Sequence, residues 1–575
     1  MHYVRRGYFV LAVAVIGALL ASACGSGSEK TPTPAATSTA SPAATATRAP
    51  AATPTPAPTA TPAPTATPKD QPKVGGTLRT SNFNPITSFD NHAVRGAQWT
   101  VMGPLMSFLI QSDKSFFDGG GLGLSPDLAQ SWDISADGKT YTFHLVDGAQ
   151  FHNGSPVTAD DVVFSLTRIA SDKSIPAAPY RSTMSAVSNF EAVDARTVRL
   201  TLGRVSASFI TGLASIGNVI YAKNALQSVL DSKPIGSGPF KFVSYDPNTL
   251  SVVERFPKYF KKDPQGRTLP YLDRIEVYQI TDIAGRVAAF RTGRLDEIDP
   301  VTFVQVSDYD AAKQSLTGVV ASEQNSGFFY FGFHNAPPYD DVRIRQAFSL
   351  AFDRKAWDLV VNAGRGFPEV LNSFQNSQWA VPTAEIRTWL GWRQPKDADI
   401  AQAKQLLKAT GVSLDGRQVI AEQLYQSQAV AAVAVLHDTL GISLNLKIVD
   451  RASIVQARAN KSYEILFEAN SAASDDPSSI IPTWYRSDGS NNYFGFADAQ
   501  LDKWLDQQEI TLNVPDRIKL SQDIQRRINQ DLLWTVNVGS SFHLQIYRDY
   551  IKGWVPHTGS QDGPAYRNET TWLVN

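Results

Sequence analysis

The chain is 575 residues long, carries a net charge of −1, and is 43% hydrophobic and 10% aromatic. That composition is typical of a globular protein, and so small a charge gives no electrostatic footing for nucleic acid or an anionic membrane surface. Its one cysteine, Cys24, excludes an internal disulfide, so the fold must rest on its core.

Residues 1–23 have a basic start (Arg5, Arg6), an apolar run and small residues before Cys24, the parts of a secretory signal. The run is about 15 residues, short of the roughly 20 that span a bilayer. The stretch LASAC at residues 20–24 resembles a bacterial lipobox, with Ala21 where leucine is usual. The resemblance implies cleavage before Cys24, lipid on its thiol, and anchoring to the outer side of the cell membrane, at the cell surface or in the periplasm. Residues 24–72 are almost wholly Ala, Thr, Pro and Ser. They cannot bury enough apolar surface to offset their ordering entropy, and are expected to form a disordered linker. In polyproline II, about 45 such residues reach on the order of 100 Å.

The remaining residues, 73–575, are too many for one core and suggest two or three subdomains. A short strand is expected at 74–79, then a loop (Asn82, Phe83, Asn84), then a helix over 97–110. Strands alternate at 131–134, 140–145 and 197–202, with Asp137-Gly138 as a hairpin turn. Asp160 and Asp161 suit the start of a helix over 162–169. Strands follow at 240–245, 250–255 and 275–280, then a helix over 283–291. The later half alternates strands (328–333, 443–449, 463–467) with helices (342–352, 401–409, 429–440, 515–529), and strand-like runs at 542–547 and 550–555 close the chain. The elements are mixed α/β.

Several blocks carry a family resemblance. They are LAQSWDISADGKTYTFHL (128–145), FHNG (151–154), TADDVVFS (158–165), PIGSGPF (234–240), YDDVRIRQAF (339–348) and IKGW (551–554). In this order they resemble the extracytoplasmic solute-binding proteins of peptide and nickel ABC transporters, family 5, over essentially all of 73–575. Most of these residues suit structural work: Asp137-Gly138 turns, Asp160 and Asp161 cap, and Arg343 and Arg345 pair with Asp340 and Asp341.

The resemblance implies a two-lobed, periplasmic-binding-protein type II fold with an extra inserted subdomain. The first lobe would comprise 73–321 and 542–575, with the insert at about 109–232, and the second 322–541. It also implies a monomer that traps a small-molecule or peptide-like ligand between its lobes and hands it to a membrane permease, with no cofactor, metal or nucleic acid.

Peptide-binding members place an aspartate four residues before the proline of an acidic-residue–Pro motif, where it pairs with the ligand's α-amino group. Here the motif is Asp476-Pro477, and the matching position holds Ala473. Asp475 or Asp476 are substitutes, or caps of the next helix. Matching positions nominate Asn82, Phe83, Asn84, Ala469, Asn470, Ser471, Trp484, Asn492, Tyr493, Phe542 and His543 as ligand-binding. His92, His334 and His543 would hold nickel or haem if the fold gathered them. The alternatives are a secreted carbohydrate- or peptide-active enzyme, and a solute receptor for a sensor. The chain has no HExxH, GxSxG or GxxxxGK[ST] motif, which disfavours the enzyme.

Overall fold

A computed structural model describes residues 71–82, 85–86, 88–93, 99–112, 123–173, 175, 181–298, 306–371, 377–470, 476–554 and 567–574. The chain divides into two units, Met1–Thr65 and Ala66–Asn575, and all described residues belong to the second. The signal, Cys24, the linker up to residue 70, Phe83, Asn84, Ser471, Ala473 and Asp475 lie outside them.

The strands in chain order are β1 (Thr77–Asn82), β2 (Ile110–Ser112), β3 (Leu124–Pro126), β4 (Ala129–Ile134), β5 (Thr140–Leu145), β6 (Val187–Asp194), β7 (Thr197–Leu202), β8 (Phe240–Tyr245) and β9 (Leu250–Arg255). They continue with β10 (Arg274–Gln279), β11 (Val319–Phe333), β12 (Gln418–Glu422), β13 (Asn445–Val449), β14 (Ile465–Asn470), β15 (Thr535–Arg548), β16 (Ile551–Lys552) and β17 (Trp572–Leu573). Three main sheets result, ordered β1-β10-β9-β8, β4-β5-β7-β6 and β13-β12-β14-β11-β15. The alternation read at 140–145 and 197–202 marks β5 and β7, whose every second residue is buried.

The first two sheets share one core, from Leu78 through Phe143 and Leu200 to Ile275. The five-stranded sheet carries a second, from Phe328 through Val419 and Phe467 to Val538. In that sheet β12 runs parallel to β13 and β14, and β11 antiparallel to β14 and β15. β11 and β15 are long, and their pairing runs from Val319↔Arg548 to Gly332↔Thr535. At their Val319↔Arg548 end they reach a first body, built on the first two sheets, where the Ile298 N–H donates to the Ile546 carbonyl at 3.1 Å.

The expected helix over 97–110 is instead a short one, Trp99–Met102, a 3-10 turn, Gly103–Leu105, and the start of β2. Pro104, with no N–H to donate, ends the α-helix there. The helix at 162–169 is longer, Ala159–Ser171, and Thr158 is its cap, with Asp161 closing a capping box. Arg343 does pair with Asp341, at 2.6 Å. Arg345 does not join the pair: it bonds the carbonyls of Tyr339, Asp340 and Leu532, lacing the helix Val342–Ala351 to the residues before β15.

The PIGSGPF block is explained by close backbone approach. A Cβ on Gly236 would lie 1.9 Å from the Leu105 oxygen, and one on Gly238 2.5 Å from the Leu105 carbonyl carbon. The glycines let this strand entry lie against the Gly103–Leu105 turn, and the Gly238 N–H donates to the Leu105 carbonyl at 2.9 Å. His152, from the FHNG block, clamps the same segment. Its Nδ1 accepts from the Gly236 N–H at 3.2 Å and its Nε2 faces the Gly238 carbonyl at 3.2 Å.

His92 is likewise held. Its Nε2 faces the Val219 carbonyl at 2.9 Å and its Nδ1 meets Arg168, which grips Asp90 at 2.6 Å. Burial pushes both histidines down to about 4 from 6.5, against the pull of their carbonyl partners. His334 packs on Tyr463 instead, so His92 is a core residue with its valences filled. Among the described residues no cluster of His, Cys, Asp and Glu could hold a metal.

Two outcomes follow. Gly236→Ala should destabilise the protein by about 2 kcal/mol or more, since the opposing atom is backbone and cannot swing aside, as read by urea unfolding. Stability should also fall as pH drops from 6.5 to about 4, because the unfolded chain takes up protons that His92 and His152 refuse. The slope is about 1.4 kcal/mol per pH unit for each histidine, and urea midpoints at pH 7 and pH 5 measure it.

Candidate ligand site

In open α/β sheets ligands gather beyond the carboxyl ends of parallel strands. In the five-stranded sheet those ends are Glu422, Val449 and Asn470. Ala469 and Asn470, both half-buried, finish β14 opposite Phe329 and Phe328 of β11.

Half-buried Trp484 follows on the short helix Ile481–Tyr485. Its ring meets Tyr330 edge-on at 6.1 Å and Tyr493 edge-on at 5.9 Å. The structure therefore brings Trp484 and Tyr493 together and joins them to β11. Tyr493 is held in place at its own loop: its hydroxyl donates to Asn491 at 2.9 Å and its carbonyl accepts from the Tyr463 hydroxyl at 3.0 Å.

Asn492 has a different role. Its amide nitrogen donates to the Arg486 and Phe496 carbonyls at 3.0 and 2.8 Å, and its oxygen accepts from the Gly495 N–H at 3.1 Å. Those bonds shape the loop that presents Tyr493. On the other body, Asn82 ends β1, is 2% exposed, and accepts at its carbonyl from the Ile280 N–H at 3.0 Å. Phe542 and His543 pair with Asn325 and Gln324 midway along the long strands.

Sequence reasoning missed one buried ionic pair. Glu468 lies on β14 opposite Tyr330 and takes a hydrogen bond from its hydroxyl at 3.3 Å. Arg458, from the helix Arg451–Ala459, reaches Glu468 at 3.2 Å and lies 5.2 Å from the centre of the Tyr493 ring. Burial raises the Glu468 carboxyl above its ordinary range, while Arg458 and Arg451 pull it back. The available signal was an acidic residue inside an apolar strand, ILFEAN. Half-buried Trp484 and Tyr493 thus form an aromatic shelf, held from behind by buried Tyr330 and the Arg458–Glu468 pair, fit for packing on a planar or apolar solute group.

Asp476 is not a spare carboxylate. Arg517 grips its two oxygens at 2.6 and 2.8 Å. The Ser478 N–H donates to Oδ1 at 2.9 Å, and the Thr211 hydroxyl to Oδ2 at 3.0 Å. Both side chains of the pair are almost fully buried.

The chain as a whole is similar to known proteins. Residues 123–492 match the model for bacterial extracellular solute-binding proteins, family 5 Middle. A di/tripeptide-binding protein of Pseudomonas aeruginosa is 28% identical over 454 residues, covering 72% of this chain and 80% of that protein. The solved structure of AgaA from A. tumefaciens R10, in complex with agropinic acid, is 26% identical. It matches with a TM-score of 0.68 over 87% of this chain and 99% of that one. The substrate-binding protein CtaP of Listeria monocytogenes has a TM-score of 0.73 at 24% identity, covering 88% of this chain and 100% of that one. The fold is therefore the two-lobed, mixed α/β periplasmic-binding-protein fold of type II.

Removing one member of the buried pair should cost more than removing both. Arg458→Ala, which leaves Glu468 uncompensated, is expected to lose about 3 kcal/mol in urea unfolding. Combining Arg458→Met with Glu468→Leu should recover much of that loss.

Proposed function

The chain belongs to the bacterial extracellular solute-binding proteins of family 5, and from that premise we propose the ligand class it serves and the residues that hold it. Members are non-catalytic: this chain is the extracytoplasmic substrate-binding component of an ABC importer, delivering solute to a membrane permease. The ligand is a small, peptide-like or opine-like solute that is not held by an aspartate on its α-ammonium. The observation that carries this is the saturation of Asp476. Its oxygens already serve Arg517, Ser478 and Thr211, and the matching anchor position holds Ala473. A buried ammonium without a carboxylate partner costs several kcal/mol, so a free amino terminus has little to gain here.

The similarity to a di/tripeptide-binding protein and to an agropinic-acid receptor supports a small polar solute. In this reading Trp484 and Tyr493 pack on it, and Asn82, Phe83, Asn84, Ala469, Asn470, Ser471, Phe542 and His543 complete the cleft. The lobes follow the boundaries 73–321 with 542–575, and 322–541, and lipid on Cys24 keeps the receptor near its permease.

Native mass spectrometry of protein purified without denaturation should release a small solute. Calorimetry with di- to pentapeptides should give no heat that depends on a free amino terminus, and tight amine-dependent binding would overturn the assignment. Trp484→Ala should weaken binding of the retained solute about 10-fold or more, the loss of a packed aromatic face. Labelling with radioactive fatty acid should mark the chain and fail with Cys24→Ala.

A further inference from the structure

The two lobes also meet outside the pairing of β11 with β15. The segment 206–211 follows β7 in the first body. Its partners are Glu509, near the end of the helix Ala499–Ile510, and Asp476 with Arg517 of the helix Val514–Arg526. The Ser206 and Ser208 hydroxyls donate to Glu509 Oε1 at 2.5 and 2.7 Å. The Ala207 N–H donates to the Glu509 carbonyl at 2.7 Å, and the Thr211 hydroxyl to Asp476 at 3.0 Å. Beside them Leu512 lies against the Asp137-Gly138 turn so closely that a Cβ on Gly138 would come within 2.5 Å of its Cδ1.

We infer that this contact is a latch that holds the lobes closed, whatever solute lies between them. Two features fit a contact made to open and re-form. The charges that need partners find them within the second lobe: Asp476 has Arg517, and Glu509 also accepts from the Ser478 hydroxyl at 2.6 Å. What the first lobe brings to the contact is neutral, three hydroxyls, the Ala207 N–H and the Ala207 carbonyl, which accepts from Arg517 at 3.5 Å. Parting the lobes leaves Arg517 on Asp476, and water replaces each crossing bond. The carboxylates make these crossing bonds stronger than neutral ones. The latch therefore biases the equilibrium toward closure before any solute arrives, and the solute supplies the remainder. Asp476 also follows β14 closely in sequence, so the strand that ends in Asn470 leads straight into the latch.

The test uses the full chain with Cys24→Ser, no added solute, and nitroxide labels on Val193→Cys of β6, 41% exposed, and on exposed Lys503→Cys. Pulsed electron resonance reads the distance between the labels. With the latch intact a short-distance population should dominate. Ser206→Ala with Ser208→Ala should cut the ratio of short to long distances about tenfold, as expected for two lost carboxylate-assisted bonds. Leu512→Ala should act in the same direction. An unchanged distribution in the serine double variant, with an unchanged melting temperature, overturns the inference. If that variant fails to fold, Glu509→Gln decides: a shift to long distances supports the latch, and no shift removes it.

Discussion

A single buried carboxylate fixes the root of the two strands on which both lobes depend. Asp296, 1% exposed, accepts from the Arg79 backbone N–H at 2.7 Å, from its guanidinium at 2.6 Å, and from the Tyr550 hydroxyl at 2.6 Å. Its own N–H donates to the Arg79 carbonyl at 2.8 Å, and its carbonyl accepts from Arg548 at 2.9 Å. One residue thus ties β1, the end of β15 and the chain beyond it into a fixed base. From that base β11 and β15 run into the second lobe, and their pairing slips register between Asn325 and Gly327. A bulge there adds twist and interrupts the ladder, and the pairing slips again between Phe329 and Tyr330.

The most deeply buried ionic pairs follow the same division. Arg567, wholly buried, meets Asp127 at 2.6 Å and also bonds Tyr259, closing the C-terminal segment onto the first core. Lys261 and Glu569 complete that group, and the Lys261 and Arg567 charges overcome burial to hold the Glu569 carboxyl down near 2. Arg168 and Asp90 serve the first body, Arg458 with Glu468 and Arg517 with Asp476 the second. Each of these charges is compensated inside its own body, where separation would cost most. Lobe movement then works against hydroxyl and backbone bonds and the partly exposed Arg365–Asp310 pair, at 2.6 Å, whose partners water can replace.

Local chemistry was legible where one strand or one cap decides the outcome. Period-2 alternation placed β5 and β7 at their observed bounds, and Gly411 and Gly441 end their helices with φ of 69° and 74°. The helix over 97–110 failed because apolar spacing outweighed Pro104 in the reading. The long reach of β11 was hidden, since residues 319–327 mix polar and small side chains and carry no alternation. Of the proposed site, the aromatics Trp484 and Tyr493 are brought together, while Asn492 serves its own loop. An acid inside the apolar strand ILFEAN marks Glu468, but its partner Arg458 and the partners of Asp476 come from other segments, which local pattern does not identify.

Asp476 is committed to structure, and on the proposed reading no carboxylate is left for the ligand's ammonium. The Asp-Pro step still starts the 3-10 turn Pro477–Ser479, because the carboxylate caps Ser478 and proline suits the first position. That structural duty, with Arg517 attached, is independent of what lies in the cleft. Recognition without that anchor falls to groups that pack or hydrogen-bond without charge. On the proposed reading these are the Trp484–Tyr493 shelf and the polar ends of β1 and β14. Such a cleft selects by shape and by hydrogen-bond placement rather than by a terminal charge, and closure must supply what the missing ion pair would have contributed.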